Sequence, residues 1–234
     1  KEAIENQSQA IDLDFIVDDF ANMLNSMGEG TRRIKAIVQS LRNFSRLDES
    51  GLKTVDLHEG IDSTLMVLNP RIGQTSRRCA IEIVREHGDI PPIECYAGDI
   101  NQVLINLLNN AIDALEEIRA LCSDQEDALL SKQPIIRVQT AYSNQQVTIT
   151  IADNGPGIPQ EIRTRVFDPF FTTKPMGQGT GLGLYVSHKI VVQDHGGNLL
   201  CQPNSGGGTM FIVSIPVRQS ALLPVSAPLS AKLA

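Results

Sequence analysis

Three stretches of this 234-residue chain hold side chains whose types and spacing could do chemistry together. The first is Gly98–Ala120, where Asn101, Asn106, Asn109, Asn110 and Asp113 lie among Val103, Leu104, Leu107, Leu108, Ala111 and Leu115. The apolar set fits one buried helical face, and Asn106 and Asn110, four apart, project from the same side. Asparagine is a mediocre helix former, so this density wants a reason. A solvated polar face is one. Ligation of Mg²⁺ is another, because a hard cation prefers amide and carboxylate oxygens.

The second stretch follows the strand-like run Val147–Ala152 and reads Asp153-Asn154-Gly155-Pro156-Gly157-Ile158-Pro159. A carboxylate leaving a buried strand can point into a pocket floor and accept a hydrogen bond from an adenine amino group. Glycines beside it let the backbone approach a flat base. An ordinary Asp/Asn-Gly turn has the same composition. The third is Phe167-Asp-Pro-Phe-Phe-Thr-Thr173-Lys174, followed by Gly177-Gln-Gly-Thr-Gly-Leu-Gly183 and a helical pattern over Leu184–Val192. A glycine loop entering a helix presents N–H donors and a positive dipole end to phosphate oxygens, and Lys174 can reach the same group. Two common fingerprints fail. G-x-x-x-x-G-K-[ST] is absent, and G-x-G-x-x-G is unmet, since its last position falls on Leu182 or Val186.

These stretches need elements to hold them. Strand patterns run over Ile81–Glu86, Ile135–Tyr142, Gln146–Ala152 and Thr209–Val217, with Asn144-Gln145 as a hairpin turn. Helical patterns run over Asp56–Leu68, Gly98–Ala120 and Gly181–Asp194. The alternation predicts an α+β fold, a mixed sheet with helices on one face. Residues 1–50 carry two apolar helical stripes, Ile16 to Met27 and Ile34 to Phe44, as expected of a helical hairpin or a dimeric bundle. Residues 121–134 read as a surface loop and 219–234 as a disordered tail.

Bulk properties narrow the partners. The net charge of -7 opposes nucleic-acid binding, which wants a basic face. The cysteines Cys79, Cys95, Cys122 and Cys201 are scattered, so free thiols are expected rather than a metal knuckle or disulfides. No apolar run reaches the roughly 18 residues of a membrane helix. A cytoplasmic location without membrane contact is expected for this stretch. Because the chain opens on Lys1, it is read as a fragment whose upstream part could hold an anchor.

In order along the chain stand Asn106-Leu-Leu-Asn-Asn110-Ala-Ile-Asp-Ala114, Asp153-Asn-Gly-Pro-Gly157, Phe167-Asp-Pro-Phe-Phe171, Gly179-Thr-Gly-Leu-Gly-Leu184 and Gly207-Gly-Thr-Met-Phe211. This series resembles the N, G1, F and G2 boxes of the sensor histidine kinase catalytic domain, a member of the GHKL ATP-binding superfamily. The resemblance spans residues 52–218 and implies a two-layer α/β sandwich with ATP under a lid. By resemblance, Asn110 with Asn106 would bind magnesium, Asp153 would read adenine, and Gly155 and Gly157 would flank the base. Thr173, Lys174, Gly179, Thr180, Gly181, Leu182 and Gly183 would form the lid and phosphate site, and Thr209 would sit near the adenine end. Residues 1–50 resemble the end of the dimerisation and phosphotransfer helices, which implies a homodimer; a response regulator is the implied protein partner.

The resemblance has one gap. The family's phosphoacceptor histidine lies in an H-E-x-x-x-P setting, whereas His58-Glu59 is followed by Ser63 at the proline position. His87, His188 and His195 lack the context too, so the acceptor is expected outside this chain. The alternative is an ATPase of the gyrase, MutL or Hsp90 type, or a nucleotide-binding module without catalysis. Those ATPases carry a water-activating Glu four residues before the magnesium-binding Asn. Here that position is Asn106, an amide that cannot act as a base, which favours phosphoryl transfer.

Overall fold

The computed structural model describes residues 51–74, 79–121, 133–174 and 180–219, together with Phe20, Met23 and Met27. Those last three are helical and exposed. The remainder of the expected 1–50 helices, the loop at 122–132 and the tail from 220 lie outside the described residues.

Strands β1 (Lys53–Val55) and β3 (Ile93–Cys95) form a small antiparallel pair. Strands β2 (Glu82–His87), β4 (Ile135–Ser143), β5 (Gln146–Asp153), β6 (Asn198–Pro203) and β7 (Thr209–Pro216) form the main sheet in the order β2-β4-β5-β7-β6. Only β2 and β4 run parallel, so the sheet is mixed. Helices α1 (Leu57–Ile72), α2 (Ala97–Leu121) and α3 (Gly183–Lys189) supply the second layer. This is the α+β, two-layer arrangement the sequence pattern predicts.

Local chemistry explains the elements. Asp56 caps α1 by accepting from the His58 N–H at 2.8 Å. On α2 the buried set Val103, Leu104, Leu107, Leu108, Ala111, Ile112 and Leu115 makes one broad stripe. It meets Ile61 and Leu65 of α1 on one side and the inward sheet residues Ile136, Val138, Ile149, Ile151 and Val213 on the other. Each such side chain contributes roughly 1.5–3 kcal/mol by leaving water. The β4–β5 hairpin turns through Asn144 and Gln145 at φ 50° and 61°, a type I′ pattern.

Several expectations are corrected. Three strands, β1, β3 and β6, fall outside the strand patterns of the sequence. The first two have three residues each, too few for alternation to show, and β6 mixes Asn, Cys, Gln and Pro. The helix expected from Gly181 starts at Gly183, because Gly181 sits at φ +65°, which a right-handed helix does not admit. Beyond Lys189 it loosens into a π-helical turn, Ile190–Asp194. Helix α1 runs four residues past Leu68, through Pro70 to Ile72.

Candidate nucleotide site

A cleft of about 820 Å³ opens between α2, the end of β5 and the segment leading into α3. It gathers Asn106, Asn110, Asp153, Gly157, Thr173, Lys174, Thr180, Gly181, Gly183 and Thr209 from the expected site. Gly155 and Leu182 do not line it, and Gly179 lies outside the described residues.

Strand periodicity places the buried carboxylate. Val147, Ile149 and Ile151 point inward, so Asp153, two residues on, points inward as well and is 3% exposed. Its Oδ1 accepts from the Gly155 N–H at 2.8 Å and the Thr209 N–H at 3.2 Å. Burial raises the Asp153 pKa, and those two backbone donors only partly oppose it. A carboxylate has more acceptor sites than these two bonds use, so it can still take a donor from the cleft.

The end of β5 is held on both sides. Asn154 accepts from the Ile135 N–H at 2.8 Å and donates to the Gln133 carbonyl at 2.7 Å. From the β6–β7 turn, the Asn204 amide donates to the Asp153 carbonyl at 2.8 Å. In the same turn Gly208, at φ +95°, presses so close that a Cβ would fall 2.2 Å from the Asp153 carbonyl oxygen. Opposite, a Cβ on Gly181 would fall 2.4 Å from the Phe170 carbonyl carbon. The phenylalanine segment and the glycine stretch are thus in backbone contact, which only glycine permits.

The two asparagines four apart on α2 behave differently. Asn106 donates to the Gly183 carbonyl at 3.0 Å and the Ser187 hydroxyl at 3.2 Å, and its oxygen accepts from Gln102 at 3.0 Å. The Asn110 side chain makes no hydrogen bond among the described residues, and Asn110 lines the cleft. That oxygen, with room for phosphate oxygens and water, fits what Mg²⁺ takes, which is commonly one or two protein ligands.

These boxes and their geometry agree with a family profile. Residues 96–219 match the histidine kinase-, DNA gyrase B-, and HSP90-like ATPase family. The chain belongs to that family. It is 29% identical over 214 residues to the sensor kinase CckA of Brucella abortus (strain 2308), covering 91% of this chain and 22% of that protein. To the C4-dicarboxylate transport sensor protein DctB of Rhizobium meliloti (strain 1021) it is 35% identical over 200 residues, covering 83% and 28%. The chain therefore spans about a quarter of the length of these relatives. Among solved structures, the catalytic domain of the histidine kinase ThkA matches with a TM-score of 0.59 and 29% identity, covering 72% of this chain and 97% of that one. ThkA has also been solved in complex with the response regulator protein TrrA. The described region is thus an ATPase domain of the sensor histidine kinase type.

Within this domain, one cluster went unforeseen. Asp113, one turn beyond Asn110, accepts from Arg71 at 2.6 Å through Oδ1 and from Lys174 through Oδ2. Arg71 also donates to Asn109 at 2.6 Å and lies 3.8 Å from Glu116. It therefore spans one face of α2 from the last turn of α1. Burial pulls the Asp113 pKa up, but the bonds from Lys174 and Arg71 outweigh it and hold the carboxyl below its ordinary range. Asp113 was legible as part of the polar face. Arg71, 42 residues away, gave no sign of itself.

The histidines are structurally engaged. His58 stacks on His87 at 4.3 Å and bonds Thr140 at 2.8 Å; His195 is fully buried between the Ile190 carbonyl and the Tyr96 N–H; His188 packs on Phe167. Of the cysteines, Cys95 is pushed up to about 12 by burial and by Asp99, and Cys201 to about 11 mainly by burial. Both are poor nucleophiles there. Among the described residues no helix is long and apolar enough to cross a membrane.

Proposed function

We propose that the cleft binds ATP with Mg²⁺ and that the domain transfers the γ-phosphoryl group to a histidine outside this chain, for relay to a response regulator. The observation that carries this reading is the pair of chemistries that one cleft brings together. At one end stands the buried Asp153 with Gly157 and Thr209 around it. At the other stand Asn110, Lys174 and the Gly181–Gly183 backbone.

Adenine would lie at the first end, its amino group donating to the Asp153 carboxylate. The triphosphate would extend along α2 toward Asn110. Bound there, Mg²⁺ supplies charge neutralisation of the phosphates. Lys174, held beside the cleft by Asp113, and the amides after Thr180 would meet the phosphates, so the chain's part in catalysis is positioning and electrostatics. Thr173 lines the same phosphate end of the cleft.

Transfer is favoured over hydrolysis because Asn106 stands where a water-activating carboxylate would be needed. An external acceptor is supported by the sequence, since none of the four histidines stands in the H-E-x-x-x-P setting, and by their contacts within the domain. Residues 1–50 would contribute the helices of a homodimer, and residues 52–218 the catalytic domain. The ThkA complex supports a response regulator as the partner.

Incubation of this chain with γ-labelled ATP and Mg²⁺ tests the transfer reading. Little phosphate release and no label on the chain itself are expected. Addition of a histidine-bearing dimerisation domain of the same protein should produce acid-labile, base-stable label on that added partner. Label of that kind on this chain alone, or rapid steady hydrolysis, contradicts it.

A further inference from the structure

We infer that Asn106 is a positioning residue, tethering the inner end of the glycine stretch to α2, and that Asn110 alone of the two asparagines offers its oxygen to a cation. The inference rests on the nucleotide reading of the cleft. It departs from the role expected of Asn106 as a second magnesium ligand.

The hydrogen bonds are directional. Asn106 Nδ2 has two hydrogens and two acceptors, the Gly183 carbonyl at 3.0 Å and Ser187 Oγ at 3.2 Å. Ser187 Oγ donates in turn to the same Gly183 carbonyl at 2.9 Å, closing a three-member network around the first turn of α3. Ser187 is fully buried. Rotating the Asn106 amide by half a turn would set its oxygen against the Gly183 carbonyl and its NH₂ against the Gln102 donor, so the orientation is determined by its neighbours. The oxygen that a cation would need is the one already accepting from Gln102.

Packing points the same way. A Cβ on Gly183 would lie 3.6 Å from the Asn106 carboxamide carbon, so the side chain sits directly beneath the backbone it holds. Two positions earlier, Gly181 presses on Phe170. Gly181–Gly183 is thus pinned by backbone contact above and by the Asn106 amide below. Phosphate-facing N–H groups are useful only when their direction is set before the ligand arrives. Asn106 sets it.

A ligand role and a tether role respond oppositely to one substitution. Asn106→Asp keeps the shape and adds negative charge, which suits a magnesium ligand. It removes the NH₂ and places a carboxylate against the Gly183 carbonyl, which destroys the tether. Calorimetry of ATP with Mg²⁺ and with the ion chelated reads this. Asn106→Asp and Asn106→Ala should each lose roughly five- to tenfold in affinity under both conditions, the loss of about one hydrogen bond, with the Mg²⁺ dependence unchanged. Wild-type affinity of Asn106→Asp in Mg²⁺, or a loss confined to Mg²⁺, overturns the inference.

A second reading needs no ligand. Amide hydrogen exchange at Val186 and Ser187, the first turn of α3, should quicken by roughly five- to tenfold in Asn106→Ala and stay at the wild-type rate in Asn110→Ala. Amides of β5 serve as the control for global unfolding. Unchanged exchange in Asn106→Ala overturns the tether even if ATP proves not to bind, whereas absent ATP binding with quickened exchange removes only the nucleotide reading.

Discussion

At the residue scale, Asp153 is a carboxylate held in an unfavourable place. The fold buries a carboxylate whose protonated form it favours. A raised folded pKa means that the stability this group contributes is present at low pH and is lost as pH rises through that folded value. At neutral pH Asp153 is therefore a cost to the fold. The proposed adenine contact would account for that cost, since a buried acceptor discriminates for a ligand donor more sharply than an exposed one. Asp153→Asn should leave the domain as stable at pH 7 or stabilise it, measured by thermal melting. It should weaken ATP by about 1–3 kcal/mol while sparing inorganic triphosphate. Equal losses for ATP and triphosphate contradict adenine reading. The alternation Val147, Ile149, Ile151, Asp153 was legible in the sequence. Asn204, which holds the Asp153 carbonyl, was not, because nothing in a turn-forming asparagine says which strand it reaches.

At the element scale, α2 is the beam of the domain, packed against α1 and the sheet and facing the cleft with its remaining side. Its apolar stripe and its asparagine face were both evident from periodicity. One of the asparagines was misplaced by that view: Asn101 is 2% exposed and sits against Gly60 of α1. The closeness of two helices depends on a small residue in the partner, which the pattern of one helix cannot show. The Arg71–Asp113–Lys174 cluster then joins α1, α2 and the segment before the glycine stretch. Because the Asp113 pKa is lowered, its contribution to stability is present above the unfolded carboxylate pKa of about 4 and is lost as pH falls through the folded value. Denaturation with urea across this range should show Asp113→Asn less stable than wild type by about 1 kcal/mol at pH 7, the scale of a partly exposed charged hydrogen bond. The two should converge in acid. A gap that persists in acid, or that is absent at pH 7, contradicts the cluster as a stabilising contact.

At the scale of the whole molecule, the order of the boxes carried more than any one of them. The glycine stretch alone fits a phosphate loop or a flexible turn, and the Asp153 turn alone fits a hairpin connection. Their sequence, with the asparagine helix before them, implied one cleft, and the fold brings their described residues to it. What remained hidden were contacts made at long sequence separation, strand β6, and the short strands β1 and β3, which exist because they pair with each other rather than because their residues demand it.

We propose above all that this cleft holds ATP together with Mg²⁺ at Asn110. The most direct measurement is a calorimetric titration of ATP into the chain and into Asn110→Ala, with Mg²⁺ and with the ion chelated. One ATP per chain is expected, bound more tightly with Mg²⁺, and Asn110→Ala should lower the affinity with Mg²⁺ to its value without the ion. Absence of ATP binding, or an Asn110→Ala variant that keeps the full effect of Mg²⁺, contradicts it.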